Sequence, residues 1–166
     1  MKNVYTHSFK TGFGTIRTAA TNRGLAVVTL PGETAAQFSR KVAQLFPDHE
    51  MRRGGRVNLS AEKQLRRYLD GRLKQFTLPL DIQGTPFHRK ALKRVARIGY
   101  GQTMTYGQVA EAIGSPGAAR AVGGANAGNN LPLVIPCHRV VAAGGLGGYG
   151  GGVAMKRRLL MMEGAL

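Results

Sequence analysis

The sequence has little cysteine, few acidic residues, no tryptophan and no long apolar run. Its one cysteine, Cys137, can form neither an internal disulfide nor a thiolate zinc site. The histidines lack metal-ligand spacing, so no metal site is expected. The longest uncharged stretch, 121–138, is rich in Gly, Asn and Pro and does not resemble a membrane span, and the first residues do not resemble a signal peptide. We therefore expect a cytoplasmic, nucleoid-associated protein. The histidines are His7, His49, His88 and His138.

Charge of one sign dominates what is present. The 166 residues contain 24 Lys and Arg against 8 Asp and Glu, a formal net charge of +16, and 43% are hydrophobic, enough for a folded core. An excess this large favours a polyanionic partner, the alternative being a surface charged for solubility. Residues 1–84 and 85–166 each carry +8, so charge alone does not locate the docking surface.

Residues 1–84 predict a small N-terminal α/β domain with an antiparallel sheet. Turn signals separate short β segments, and apolar residues at helical spacing indicate two helices. The second helix has Ser60 as its candidate N-cap and ends at Gly71. The expected strands are 4–9, 15–20 and 25–30, the first helix is 33–46, and 78–82 is a last strand or a linker.

Residues 85–166 predict a mostly helical C-terminal domain, which makes the whole chain α+β. Thr85 followed by Pro86 starts a helix over 87–98, and Thr105 caps another over 106–113. Ser115 followed by Pro116 gives the same start signal before a short helix reaching 125. Two short helices joined by a Gly-Ser-Pro turn indicate a helix–turn–helix, here a winged one. In its second helix Arg120 is the only long side chain, so the backbone can approach a partner closely.

The single cysteine lies in an unusual setting, directly after Pro136 and before His138 and Arg139. The adjacent cations would lower the thiol pKa and favour a reactive thiolate, whereas a lone cysteine is more often a small buried core residue. Neighbours along an extended segment point to opposite sides, so His138 requires a turn or a bridging water to act on Cys137. A base that carries charge needs an orienting acid. In this half the acids are Glu111 and Glu163, and the hypothesis favours Glu163, on the last helix.

Glycines dominate residues 144–152, which contain a formal GxGxxG match. A dinucleotide site is rejected because the flanking strand and the rest of a βαβ unit are missing. The interpretation is a loop whose bare backbone can hydrogen-bond a flat ligand and whose Tyr149 can stack on it, and the alternative is a flexible linker. No cofactor is therefore expected.

The motif Pro136-Cys137-His138-Arg139-Val140 resembles the active-site signature of the O6-alkylguanine-DNA alkyltransferases, also called methylated-DNA–protein-cysteine methyltransferases. The resemblance covers essentially all of 85–166. It includes, in the family's order, Thr85-Pro86-Phe87, the segments 100–106 and 118–123 with Asn126, and 147–151 followed by Lys156, Leu159, Leu160 and Glu163.

This resemblance implies direct DNA repair. The family transfers the alkyl group of O6-alkylguanine, and of O4-alkylthymine, irreversibly to a cysteine, one group per protein molecule and without a cofactor. It implies a monomer that binds double-stranded DNA from the minor groove and flips the damaged nucleotide, because the lesion is unreachable inside the base stack.

The resemblance also implies roles for individual residues. Cys137 is the acceptor, His138 deprotonates it through a water, and Glu163 orients His138. Tyr106 crowds a phosphate and donates a proton toward the leaving guanine, while Asn129 ties the turn between the recognition helix and the active site. Arg120 enters the duplex in place of the flipped nucleotide. The remaining implied contacts are Ser115, Ala119, Ala121 and Gly123 with DNA, and a substrate pocket of Tyr149, Gly150, Val140 and Pro132.

Other classes compete with this interpretation. Alkyltransferase-like proteins bind lesions without repairing them, but they lack the acceptor cysteine that is present here. A helix–turn–helix regulator would use Cys137 only for packing, and a cysteine hydrolase would turn over repeatedly. Transfer of a label from DNA to Cys137 separates the repair interpretation from these three alternatives.

Overall fold

The computed structural model describes residues 2–166, and the chain divides into two compact units between Gln83 and Gly84. The domain boundary predicted from the sequence lies one residue later. Within 2–166, no helix is both long and apolar enough to cross a membrane. The mixture of a four-stranded sheet with six α-helices is the α+β class that the sequence predicted.

The first unit is built on a sheet with strand order β3-β2-β1-β4. Its strands are β1 (Lys2–Thr11), β2 (Gly14–Thr21), β3 (Gly24–Val28) and β4 (His49–Arg53). The β1–β2 and β2–β3 pairs are antiparallel as predicted, but β4 pairs in parallel with β1, so the sheet is mixed. The antiparallel pairing predicted for the first three strands is confirmed, and a fourth strand that the sequence did not predict adds a parallel pair.

Strand β4 escapes sequence patterning because its side chains do not alternate between core and solvent. Four of its five residues, including Met51, are exposed, and the segment His-Glu-Met-Arg-Arg has no buried apolar face. An edge strand is held by backbone pairing to one neighbour, which does not depend on side-chain type.

Helices cover both faces of this sheet. Helix α1 (Ala35–Leu45) packs Phe38 and Val42 against a core that includes Val4 and Ala19. Thr18, whose side chain points to the face opposite Ala19, donates a hydrogen bond to Asn58 of helix α2 (Arg56–Leu69) at 2.8 Å.

Helix α2 begins one turn earlier than the sequence predicted. Its N-cap is Gly55, with φ +96°, and Ser60 lies inside the helix. Asn58 occupies a core-facing position, where it donates to the carbonyls of Tyr5 (2.9 Å) and Gly54 (2.7 Å). Because this core-facing residue is polar, it interrupts the apolar pattern of the first turn, and the sequence does not reveal the true start of the helix. The predicted strand or linker at 78–82 forms only a single bridge between Leu80 and Leu25.

The second unit is mostly helical. Its helices are α3 (Pro86–Val95), α4 (Tyr106–Ala112), α5 (Ala119–Ala127) and α6 (Val153–Met162). Two short strands, β5 (Met104–Thr105) and β6 (Val140–Val141), pair in parallel. Helices α4 and α5 pack together as the helix–turn–helix pair, and a bridge between Ala142 and Gly145 forms a small wing. Helix α3 stops three residues before its predicted end at 98.

The start of α5 also differs from the sequence expectation. Ser115 is not its N-cap: the amide of Ala118 bonds to the Ser115 carbonyl at 2.9 Å, which closes a turn, and the helix begins after Ala118 without a side-chain cap. The proline after Ser115 therefore belongs to the connecting turn and not to the helix. The helix ends at Ala127, two residues later than predicted.

The apolar run before the cysteine is buried but is not a strand. Leu133, at φ +73°, is the one non-glycine residue of 2–166 in the left-handed region, and the Ile135 amide bonds to the Leu131 carbonyl at 2.8 Å. The run is a compact turn whose side chains fill the core.

Candidate active site

The only cysteine opens a 3₁₀ turn, Cys137–Arg139, between the apolar turn and β6. The amide of Cys137 bonds to the Ile135 carbonyl at 2.7 Å, and that of Arg139 to the Pro136 carbonyl at 2.9 Å. All three side chains are buried, with Cys137 8% and His138 0% exposed. The turn that an interaction between Cys137 and His138 would require is thus present directly after Pro136.

A carboxylate from the end of α6 joins this turn. Glu163, the C-cap of α6, accepts a hydrogen bond at Oε2 from His138 Nε2 at 2.9 Å. It also accepts two from Arg139, from Nε to Oε1 (2.8 Å) and from Nη2 to Oε2 (2.9 Å). Glu111, the other acid considered from the sequence, lies exposed on α4.

The electrostatics of Cys137 differ from the sequence expectation. Burial raises the pKa of its thiol, and the opposing influences come first from an Asn129 hydrogen bond, then from the charge of Lys156, then from backbone amides. The guanidinium of Arg139 is bound to Glu163, and its Nη1 donates to the Ile98 carbonyl at 2.6 Å. The expectation that the two adjacent cations lower the thiol pKa was therefore wrong.

His138 is held in its neutral form. Burial lowers the pKa of its imidazole, and the hydrogen bond and negative charge of Glu163 act in the opposite direction. Since a carboxylate can only accept, Nε2 carries the proton and Nδ1 of the neutral ring carries a lone pair.

Lys156 is the site residue to which sequence reasoning gave no role. Its ammonium is buried and donates to the carbonyls of Val140 (2.6 Å) and Gly148 (3.0 Å). Burial lowers its pKa, and a negative Cys137 would raise it. A signal was available: Lys156 lies on the same helix face as Leu159, Leu160 and Glu163, all of which are buried.

Tyr106 is brought to the site by the first turn of α4. Thr105 and Gln108 form a capping box at that turn, and the pairing of Thr105 with Val141 fixes the helix start beside the strand that follows the cysteine turn. A Cβ built on Gly147 would lie 3.1 Å from the tyrosine hydroxyl, so the lack of a side chain at Gly147 allows this close approach. Burial raises the Tyr106 pKa and the charge of Cys137 raises it further, which keeps the hydroxyl protonated.

Two asparagines connect α5 to the cysteine. Asn129 Nδ2 donates to the Ile135 carbonyl at 3.0 Å, and its Oδ1 accepts from the Leu131 amide at 2.9 Å, so Asn129 closes the turn before the cysteine. Asn126 Nδ2 donates to the carbonyl of Cys137 at 3.3 Å. The structure thus links the helix directly to the residue with the thiol.

Other predicted residues fall into two groups. Arg120 and Ala121 are exposed on α5, where Arg120 is the only long exposed side chain, while Ala119, Gly123 and the turn residue Ser115 are half-buried. Tyr149 packs edge-on against His138 with ring centroids 6.3 Å apart, and burial raises its pKa ahead of the charges of Cys137 and Glu163. In the predicted pocket Val140 is buried, Gly150 is exposed, and Pro132 forms a bridge to Ile135 within the apolar turn.

No three His, Cys, Asp or Glu side chains of residues 2–166 form a group able to hold a metal ion. The groups that the structure brings together are a buried thiol, a neutral imidazole bound to a carboxylate, a protonated phenol and a buried ammonium.

A buried Cys-His-Glu site within a helix–turn–helix unit indicates a DNA-binding protein with a reactive cysteine. Comparisons with known proteins agree with this class. The family model described as "6-O-methylguanine DNA methyltransferase, DNA binding domain" matches residues 86–165. The methylated-DNA–protein-cysteine methyltransferase of Shigella flexneri is 44% identical over 138 residues, which cover 78% of this chain and 80% of that protein. The Mycobacterium tuberculosis (strain H37Rv) protein of the same name is 49% identical over 104 residues, 62% of this chain and 63% of that relative.

Solved structures agree over nearly the whole chain. The structure of Mycobacterium tuberculosis OGT in complex with DNA matches with a TM-score of 0.82 and 34% identity, over 97% of this chain and 93% of that one. The O6-methylguanine-DNA methyltransferase of Pyrococcus kodakaraensis matches with a TM-score of 0.67 and 25% identity, over 97% and 99%. The chain belongs to the methylated-DNA–protein-cysteine methyltransferase family, which confirms the resemblance found in its motifs.

Proposed function

We propose that this chain repairs alkylated DNA directly, by transferring the alkyl group from O6 of guanine, or from O4 of thymine, to Cys137. The observation that carries the proposal is the buried hydrogen bond between Glu163 and His138, where His138 lies next to Cys137 in the 3₁₀ turn. The thiolate sulfur attacks the alkyl carbon, the S–C bond forms as the C–O bond breaks, and the electron pair stays on the base oxygen. The thioether has no route back, so each monomer acts once.

Formation of the thiolate is the first step that the site must favour. Nδ1 of neutral His138 takes the Cys137 proton through a water, and Glu163 stabilises the imidazolium that results. Lys156 favours the negative sulfur by its charge, and the Asn129 hydrogen bond does the same. Burial, which opposes ionisation, also makes the sulfur a less solvated and stronger nucleophile.

Tyr106 supplies the group that faces the leaving base. Its raised pKa keeps the hydroxyl protonated and able to donate toward the nitrogen of the leaving guanine, and its position at the start of α4 suits a contact with the phosphate beside the lesion. Tyr149, Gly150, Val140 and Pro132 are assigned to the pocket around the base, with the Tyr149 ring as its aromatic wall.

The partner is double-stranded DNA, approached through the minor groove by α5. Small residues on α5 let the helix approach the DNA closely, namely Ala119, Ala121 and Gly123. Ser115 contacts the DNA backbone from the preceding turn. Arg120 fills the stack that the flipped nucleotide leaves. The OGT of Mycobacterium tuberculosis, solved in complex with DNA, supports this choice of partner.

Labelled DNA tests the proposal. A duplex with one O6-guanine carrying a labelled methyl group is incubated with the wild-type chain and with Cys137→Ser, and the label per protein is counted. We expect about one label per wild-type molecule, located on Cys137, and none on the variant. Absence of transfer would leave a lesion-binding protein or a regulator, and release of label over many cycles would identify a hydrolase.

Arg120→Ala tests the intercalating role separately. The substitution should slow transfer from duplex DNA at least tenfold and change transfer from a free O6-alkylguanine base by less than twofold, because a free base needs no flipping. Single-turnover rates on both substrates measure this. Equal losses on the two substrates would contradict the role.

A further inference from the structure

In the side-chain amide of Asn126 the nitrogen forms a hydrogen bond, whereas the oxygen has no hydrogen-bond partner among the described residues. Nδ2 donates to the carbonyl of Cys137 at 3.3 Å. Oδ1 is buried, and it has no hydrogen-bond partner in the chain from residue 2 to 166. Buried acceptors in folded proteins are almost always paired with protein or water, so an oxygen beside Cys137 that no protein group binds can accept from a group that enters the site.

The orientation of this amide follows from its contact. If the side chain were flipped, Oδ1 would face the Cys137 carbonyl, and two acceptors cannot share a proton. Nδ2 must therefore point toward Cys137, and Oδ1 is left as an acceptor in a fixed direction. The Tyr149 hydroxyl is a second buried polar atom without a hydrogen-bond partner among the described residues, and burial, followed by the charge of Cys137, raises its pKa. Two buried oxygens, Asn126 Oδ1 and the Tyr149 hydroxyl, thus have no hydrogen-bond partner among the described residues. Of the two, Asn126 Oδ1 can only accept a hydrogen bond.

We propose that Asn126 Oδ1 is a specificity determinant that accepts a hydrogen bond from the 2-amino group of the flipped purine. The inference rests on the proposed function and deepens it. A guanine alkylated on O6 has no proton on N1, so its 2-amino group is the only N–H donor that the base presents. A thymine alkylated on O4 has no N–H donor at all. An acceptor in the pocket therefore separates the two lesions by their chemistry.

The consequence is an order of preference among lesions. O6-methylguanine satisfies Oδ1, whereas O4-methylthymine and O6-methylhypoxanthine, which is the same purine without the amino group, leave it buried and unpaired. Leaving a polar group of the site unpaired is an effective way to reject an analogue. We expect transfer from O6-methylguanine to be about tenfold faster than from O6-methylhypoxanthine, the size of one net hydrogen bond.

The test compares three proteins on two duplexes. Wild type, Asn126→Leu and the control Asn130→Leu, an asparagine of the following turn, are mixed in single turnover with DNA containing O6-methylguanine or O6-methylhypoxanthine. Asn126→Leu should reduce the preference for O6-methylguanine from about tenfold to less than twofold, while Asn130→Leu should keep it. The ratio of rates is the measurement, so a general loss from a disturbed Cys137 carbonyl cancels.

Each outcome has a definite meaning. An equal loss on both lesions in Asn126→Leu would make Asn126 a positioning residue for Cys137 and overturn the proposal. Equal wild-type rates on the two lesions would also overturn it, and this result does not depend on the folding of any variant. Failure of the wild type to accept a methyl group from either duplex would instead overturn the proposed repair function.

Discussion

At the scale of single residues, the burial of Cys137 opposes the ionisation of the thiol that the proposed reaction requires. Burial raises the thiol pKa, so at neutral pH the resting site holds mainly thiol, and the transfer rate depends on how readily the proton leaves. His138 is neutral because burial lowers its pKa, and that is the form able to take the proton.

The pKa directions of Cys137 and His138 predict a pH dependence. Single-turnover transfer should change little from pH 7 to 9, because the proton that leaves Cys137 is held by His138, whose imidazole is neutral throughout this range, and it should slow toward acid pH as His138 becomes protonated. Stability should fall at alkaline pH: above the pKa of an unfolded cysteine, the unfolded chain loses a proton that the folded chain retains, so the free energy of unfolding falls. Denaturation of the wild type and Cys137→Ser across this range measures the effect. A Cys137-dependent loss of stability toward acid instead of alkaline pH would contradict it.

Glu163→Gln should weaken both stability and transfer. The change leaves the buried Arg139 without its carboxylate, at a cost of about 3–5 kcal/mol, and removes the group that raises the His138 pKa, which makes the imidazole a weaker base. The control is Glu62→Gln in the first unit, where a more exposed glutamate accepts from His7 (2.6 Å) and Arg66 (2.8 Å).

Denaturant unfolding and the rate of Cys137 alkylation measure the two effects. Glu62→Gln should cost about 1 kcal/mol or less, as expected of a partly exposed pair, and should leave alkylation unchanged. Full thiolate reactivity in a folded Glu163→Gln protein would contradict the orienting role of Glu163.

The sequence could identify Cys137, His138 and Glu163 because each is a rare residue type in a recognisable place. It could not show that Arg139 binds Glu163 and not the thiolate, since a 3₁₀ turn sends successive side chains in different directions. The contacts of Asn126 also depend on tertiary packing that no spacing in the chain displays.

At the scale of elements, local signals succeeded where the chain caps itself. Thr85 and Thr105 mark the starts of α3 and α4 because their hydroxyls accept backbone amides within one turn. Strand β4 and the start of α5 were misjudged because neither has a side-chain signal: one is fixed by backbone pairing to β1 and the other begins without a cap.

Two matched capping boxes allow a test of how α4 serves the site. Thr105→Ala and Thr34→Ala each remove an N-cap hydroxyl from a box with a glutamine three residues later, so each should cost about 1 kcal/mol. Only Thr105→Ala should slow methyl transfer, by roughly threefold to tenfold, because its helix begins with Tyr106. Equilibrium unfolding and single-turnover rates check both variants. Equal slowing by Thr34→Ala would show that general destabilisation is responsible.

At the scale of the whole molecule, the charge of +16 is split evenly along the chain, but the acids are not. The first unit has six acidic residues, and several of them form ion pairs, such as Glu33 with Lys41 at 2.9 Å. The second has only Glu111 and Glu163, and Glu163 is buried. In the proposed function, long-range attraction to DNA depends on the sum of these charges, whereas specific contact depends on α5.

Equal neutralisation of the two units tests this division. One variant replaces exposed cations of α2 and the other those of α3, each removing three charges. Both should slow association with duplex DNA by a similar factor at low salt and leave the transfer rate at saturating DNA unchanged, since neither surface is assigned a base or phosphate contact. Stopped-flow binding at two salt concentrations measures it, and a much larger effect of one variant would reveal a direct contact. The substitutions are Arg56, Lys63 and Arg67 to Gln on α2, and Arg89, Lys90 and Lys93 to Gln on α3.

The near-complete burial of Cys137 has a consequence for product release. A site that discards its product must open in every cycle, and that step is often the slow one. A protein that keeps the alkyl group as part of itself has no such exit to maintain. In the proposed function the alkylated base must still reach the sulfur, but no product has to leave it, so the burial of Cys137 slows no release step.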